Sequence, residues 1–239
     1  MTIKSPITTV LFDLDGTLLN VDMYRFIPAY LKRLAESIDP AIDQQQFIDT
    51  MIERTMELLG SDDGSQTNEA FFLSVVQQDF HLAPEQFLSG IRRFCREHLT
   101  ELQPLVNPFP LARQLMQRCQ EQGLEVVIAT NPVFPRPVVD ARLEWAGIGD
   151  FDYQLVTSIE NSRFCKPNPK YFSDILDKIG VLAGHCLMVG NDTEHDLSAS
   201  TLGITTFLVD TWLIDRGSRF VADYRGSHLD LFRFLGQLV

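Results

Sequence analysis

Ile7 to Phe12 is an unbroken run of apolar or β-branched residues, the length of a strand buried on both faces. From Val21 to about Leu102 the rhythm changes. Met23, Phe26, Ile27, Tyr30, Leu31, Leu34 and Ile38 recur at helical spacing, and so do Phe47, Ile48, Met51, Ile52, Leu58 and Leu59, with Gly60 as the expected C-cap. A polar loop, "SDDGSQ", leads to Thr67, an N-cap for a helix through Val75 and Val76. Pro84 stands where a first helical turn tolerates it, ahead of Phe87, Ile91, Phe94 and Cys95. Four helices in succession, with no strand among them, predict a small helical bundle.

After "QPLVNPFP" strands and helices alternate. A helix over Leu111 to Gln120 stops at Gly123, before the strand "LEVVIAT". A helix from Val138 to Ala146 stops at Gly147, before the short strand "YQLVTS". Pro169 to about Ile179 forms a helix ended by Gly180. "CLMVG" is a strand, Asp196 to Leu202 a helix and "TTFLV" a strand. This order predicts an α/β fold, a doubly wound, Rossmann-like parallel sheet with helices on both faces. The bundle interrupts it after the first strand. Residues 1–20 and 105–239 are therefore the expected core domain, and 21–104 an inserted all-helical cap.

Length and composition narrow this picture. A chain of 239 residues and 27.2 kDa accommodates one large domain plus a smaller one. A formal net charge of −12 argues against a nucleic-acid partner or an anionic membrane surface, which recruit clustered Lys and Arg. Cys95, Cys119, Cys165 and Cys186 are scattered without a zinc-like spacing, as expected of reduced thiols. Lys4 precedes no apolar stretch long enough for a signal segment, and no apolar run reaches membrane-spanning length. The expected location is cytoplasmic.

Ligands of open parallel sheets bind beyond the carboxyl ends of the strands. The first strand ends in Asp13 and Asp15, the second in Thr130 and Asn131. Lys166 lies in the loop after the third, and "CLMVG" runs into Asn191 and Asp192, with Asp196 four residues on. Two like charges about 4 Å apart repel by about 4 kcal/mol at an effective dielectric near 20. Four carboxylates at one edge therefore call for a cation among them. Mg²⁺, held by few carboxylates and a substrate phosphate, answers that need and explains how an acidic protein binds an anion.

"DLDGTL", "IATN", "KPNPKYF" and "VGNDTEHD" resemble, in order, the four motifs of the haloacid dehalogenase superfamily, over roughly residues 5–20 and 105–215. The resemblance implies Asp13 as a nucleophile that forms an aspartyl-phosphate, and Asp15 as the acid and then the base. It implies Thr130 and the Asn131 backbone as holders of the phosphoryl group, and Lys166 as the partner of both Asp13 and that group. Asp13, Asp15 and Asp192 would ligate Mg²⁺, supported by Asp196. The bulk chemistry agrees. An aspartate is ionised at pH 7 and attacks without a base, whereas Asp15 must arrive protonated, which the neighbouring negative charge favours.

The fourth motif departs from the family pattern, because Asn191 stands between Gly190 and the first acid. Either Asn191 or Asp192 then meets the metal, and the spacing to Asp196 favours Asp192. Asp196 alone would read as a helix cap, and His195 as an exposed residue without a partner. The loop after Gly60 and the segment Asn20 to Arg25 are expected to face the substrate. Arg92 and Arg96, one turn apart, read as a solvated face rather than an anion grip. The expected function is a Mg²⁺-dependent phosphatase acting on a small phosphorylated metabolite. The alternatives are a phosphomutase of the β-phosphoglucomutase type and a non-catalytic binding protein of the same fold. Oligomeric state is not legible.

Overall fold

Thr9–Phe12 forms strand β1, buried at every position, as its apolar run requires. The structure is a computed structural model that describes residues 6–238; residues 1–5, Lys4 among them, and Val239 lie outside the described residues. β1 lies between β4 (Glu125–Ile128) and β6 (Cys186–Gly190), parallel to both, with Phe12 opposite Ile128 on one side and Val189 on the other. β5 (Leu155–Val156) flanks β4, while β7 (Thr205–Val209) and β8 (Tyr224–Gly226) extend the sheet beyond β6. In the order β5-β4-β1-β6-β7-β8 the chain winds outward from β1 in both directions. The crevice beyond the ends of β4, β1 and β6 is thus the switch point, where ligands of such sheets bind.

Alternation along β1 divides its side chains between two cores. Val10 and Phe12 join one with Leu115 and Met116 of α5 (Ala112–Glu121) and Leu231 of α8 (His228–Leu235). Leu11 joins the other with Tyr171, Phe172 and Ile175 of α7 (Pro169–Ile179). Helix α6 (Arg136–Trp145) completes the β-α-β alternation, and Gly180 ends α7 at φ 68°, as expected.

The helical insertion comprises α1 (Met23–Ile38), α2 (Gln44–Gly60), α3 (Asn68–Phe80) and α4 (Pro84–Glu97). Thr67 caps α3 by accepting from Ala70 N–H, and Pro84 occupies the first turn of α4. The chain leaves the core through β2 (Leu19–Val21) and returns through β3 (Val106–Pro108), and the two pair antiparallel. None of the described helices is long and apolar enough to cross a membrane.

Four details differ from the sequence reading. Gly60 is the last helical residue of α2 rather than a left-handed cap, and Ser61 N–H closes the helix on Leu58 O. Leu197–Leu202 is a 3₁₀ segment, and its Ser-rich sequence bonds hydroxyls back to nearby carbonyls instead of continuing an α-helix. The strand expected over "YQLVTS" keeps only Leu155–Val156. β8 and α8, with a capping box at Ser227 and Asp230, were not anticipated.

Candidate active site

A cavity of about 160 Å³ opens beyond β4, β1 and β6, and Asp13, Asp15, Thr130, Asn131, Lys166, Asp192 and Asp196 all line it. The first motif reaches it through a tight turn. Asp13 N–H continues the ladder onto Val189 O, and Gly16 then turns at φ 85° and donates to Leu19 O at 2.7 Å. A Cβ on Gly16 would lie 2.2 Å from the Asn191 amide nitrogen, so the turn needs glycine for both backbone and space.

Lys166 is 2% exposed, and its Nζ donates to Asp13 Oδ1 at 2.6 Å and Asp196 Oδ1 at 2.7 Å. Burial opposes the ammonium charge, but the two carboxylates outweigh it and hold the Lys166 pKa above its ordinary value. One lysine neutralises only one of the two acids. Burial pushes the Asp13 carboxyl up to about 7 despite Lys166, with Asp196 and Asp15 adding repulsion, so without a further cation Asp13 is not fully ionised at pH 7, contrary to the expectation from sequence. Asp196 makes no side-chain cap bond; instead its Oδ2 accepts from Asp192 N–H at 2.9 Å. Gly190 allows this approach, since a Cβ there would meet the Asp196 carboxyl at 2.1 Å.

Asn131 does more than its backbone was expected to do. Its Oδ1 accepts from Lys166 N–H at 2.9 Å, tying the third motif to the second. Thr130 O accepts from Thr157 Oγ1 at 2.7 Å and Tyr171 Oη at 2.8 Å, which fixes the β4 terminus. The Thr130 hydroxyl itself makes no hydrogen bond among the described residues.

Two arginines absent from the sequence reading complete the site. Arg142 of α6 is fully buried, pairs with Asp15 Oδ2, and lies 4.8 Å from the Phe134 ring centroid and 5.8 Å from that of Phe26, so Asp15 faces a cation and not only the negative neighbours expected from sequence. A signal was present: Val138, Val139, Arg142 and Leu143 share the buried stripe of α6, where a lone arginine needs a partner. Arg216, in the loop after β7, donates from Nε to Asp192 Oδ2 at 2.6 Å. Nothing in the local sequence marked it.

Asp192 Oδ1 accepts from the backbone of Glu194 and His195, both at 2.9 Å. Burial opposes the negative charge, yet these bonds, with His195 and Arg216, hold the Asp192 pKa below its ordinary value. Asn191 has both amide atoms engaged, accepting from Thr17 Oγ1 at 3.2 Å and donating to Trp212 O at 2.7 Å. His195 is not exposed as expected: it lines the cavity half-buried, and desolvation lowers its pKa. Met23 is the one residue of Asn20 to Arg25 among the lining residues. The loop after Gly60 docks on the third motif instead, where Asp62 pairs with Lys170 at 2.9 Å and accepts from Asn168. Arg92 and Arg96 are exposed, and Arg96 pairs with Glu97.

A hard cation suits this donor set. Asp15 Oδ1 is buried and has no hydrogen-bond partner among the described residues, an orphaned acceptor in a wall with three further carboxylates. Among the described residues no three acidic, imidazole or thiol groups converge closely enough to enclose an ion. Each carboxylate is turned onto a cation, with Asp13 and Asp196 sharing Lys166, Asp15 facing Arg142 and Asp192 facing Arg216.

The sequence model of the haloacid dehalogenase-like hydrolases matches residues 7–200. A pyrophosphatase, PpaX of Bacillus cereus strain AH820, is 25% identical over 229 residues, covering 92% of this chain and 89% of that protein. A predicted phosphoglycolate phosphatase from Haemophilus somnus 129PT superposes with a TM-score of 0.58 at 17% identity, over 97% of this chain and 99% of the other. The L-2-haloacid dehalogenase RSc1362 superposes with a TM-score of 0.60 at 20% identity, again over 97% and 99%.

Proposed function

Because the chain belongs to the haloacid dehalogenase-like hydrolase family, we propose that it is a Mg²⁺-dependent phosphatase that hydrolyses a small phosphomonoester through an aspartyl-phosphate on Asp13. The observation that carries this reading is the pairing of Lys166 with Asp13, 2.6 Å apart, in one cavity with Asp15 and Asp192. Replacing carbon-bound halide requires no second acid and no hard-cation donor set, whereas phosphoryl transfer uses both. The name of the PpaX relative and that of the Haemophilus somnus protein point the same way. We take residues 1–20 and 105–239 as the catalytic core and 21–104 as the cap over it.

In the first half-reaction an Asp13 carboxylate oxygen bonds to phosphorus as the bond to the leaving oxygen breaks, and Asp15 gives that oxygen its proton. In the second, water attacks the phosphorus of the mixed anhydride, Asp15 takes its proton, and phosphate and the Asp13 carboxylate are released. Lys166 and the Thr130 hydroxyl hold the equatorial oxygens, and the Asn131 side chain keeps the Lys166 backbone in place. Mg²⁺ held by Asp13, Asp15 and Asp192, with Asp196 behind them, would supply further charge stabilisation. Of the two candidates in the fourth motif Asp192 is the better ligand, since it offers a charged carboxylate where Asn191 offers a neutral amide held by Thr17 and Trp212.

The test is Asp15→Asn. With p-nitrophenyl phosphate, whose leaving group needs little protonation, the variant should release about one equivalent of nitrophenol in a burst and then stall. An alkyl phosphate should give almost none. Mass spectrometry of the trapped enzyme should place the adduct on Asp13. Equal loss on both substrates with no adduct at Asp13 defeats the mechanism.

A further inference from the structure

The cap is fastened to the core at the start of α3, and the fastening ends on the two loops that carry Thr130 and Lys166. The first N–H groups of a helix have no partner within it. In α3 the core takes up two of them: Asn68 N–H donates to Ser162 O at 2.8 Å and Glu69 N–H to Ile159 O at 2.9 Å. Thr67 satisfies the next. Beside them Gly64 packs so closely on Phe164 that a Cβ would lie 2.1 Å from its ring. The start of α3 is therefore set on the core.

The Asn68 side chain goes further. It is 1% exposed, and its Nδ2 donates to Pro132 O at 2.9 Å and to Cys165 Sγ at 3.5 Å. Pro132 follows Thr130 and Asn131, and Cys165 precedes Lys166. Asn131 already joins these two loops from within the core, its Oδ1 accepting from Lys166 N–H and its Nδ2 reaching Lys166 O at 3.5 Å. Asn68 repeats that bridge from the cap, one residue further along each loop. Its Oδ1 is buried and has no hydrogen-bond partner among the described residues. An orphaned acceptor costs stability, and an apolar side chain would fill the same space without that cost. What the amide adds is its donor, held between the two loops.

We propose that Asn68 is a positioning residue for phosphoryl transfer: through Pro132 and Cys165 it fixes the separation of the Thr130 hydroxyl and the Lys166 ammonium, so that the seated cap sets the geometry the transferring group meets. The inference rests on the phosphatase reading and adds to it a residue outside the cavity lining. Because Asn68 acts on the group common to every substrate, its loss shows in kcat more than in KM and does not depend on the leaving group.

The experiment measures kcat, KM and thermal unfolding for Asn68→Leu and Asn68→Asp, with p-nitrophenyl phosphate and phenyl phosphate in Mg²⁺ at pH 8. Leucine fills the space without a donor. Aspartate keeps the shape, donates nothing as a carboxylate and favours the first turn of a helix, so it remains readable where leucine impairs folding. Asp62→Ala is the comparison, since it removes the contacts of the neighbouring cap loop with Asn168 and Lys170. Both Asn68 variants should lose about tenfold or more in kcat, equally on the two substrates, with KM within about threefold of wild type. Asp62→Ala should keep kcat within about twofold. A folded Asn68 variant with kcat within about twofold of wild type, a loss that differs between the substrates, or an equal loss in Asp62→Ala overturns the inference and leaves the phosphatase reading standing. A wild type inert on both substrates overturns both.

Discussion

Asp13→Asn should make the metal-free protein more stable, by an amount that grows with pH. In the folded chain burial raises the Asp13 carboxyl from 3.8 to about 7, because Lys166 neutralises one of the two acids it touches and Asp196 is the other. A folded-state pKa above the unfolded one means stability that is fully present at low pH and is lost as pH rises toward the folded value. Each pH unit inside that window costs about 1.36 kcal/mol, or about 4 kcal/mol over its whole span. Asparagine does not titrate, so the variant escapes this loss, although its contact with Lys166 is weaker. That weaker contact is a constant offset, and comparison at two pH values removes it. Between pH 5 and pH 8 the advantage of the variant should grow by about 2–3 kcal/mol, most of it before pH 7. For a chain of this length that is roughly 5–10 °C in the melting temperature. The assay is thermal unfolding of both proteins in EDTA at pH 5, 6, 7 and 8. A difference in Tm that is flat across this range, or that shrinks as pH rises, refutes the account of Asp13 as a carboxylate held against burial.

The same acids should make turnover depend on a divalent cation: EDTA should abolish it, Mg²⁺ should restore it, and Ca²⁺ should substitute poorly because it takes a looser coordination. Full activity in chelator would show that the carboxylates serve no metal. Gly16→Ala places a Cβ against the Asn191 amide at a left-handed φ, so it should lower stability by about 1–3 kcal/mol and reduce kcat, checked by thermal unfolding and p-nitrophenyl phosphate kinetics. A Gly16→Ala protein with wild-type Tm and turnover would show that the turn does not constrain the site.

Much of this molecule could be read along the chain because its chemistry stands where local pattern is strongest. An apolar strand that stops on an acid, as at Phe12–Asp13 and again at Gly190–Asp192, declares both an element and its end. Parallel order then requires those ends to meet at one edge, since β1 pairs with β4 and β6 in the same direction. Residues as distant as Asp13 and Lys166 were thus expected in one cavity before any contact was known, and there they lie. The C-terminal strand and helix escaped because "YRG" is too short and polar to show a period, and its place in the sheet comes from β7 beside it.

What the sequence alone determined is the set of acids, their order and the sheet edge on which they gather, because strand ends and side-chain alternation are local properties of the backbone. The tertiary structure decided which cation each acid faces. Arg142 reaches Asp15 from 127 positions away because α6 turns its buried stripe toward the end of β1. Arg216 reaches Asp192 because backbone bonds fold its loop back over the fourth motif. Asn131 serves as a clamp on Lys166 because two loops meet there. Pairings of this kind follow from the packing of whole elements, and a charge in a low-dielectric wall must find whichever opposite group that packing delivers.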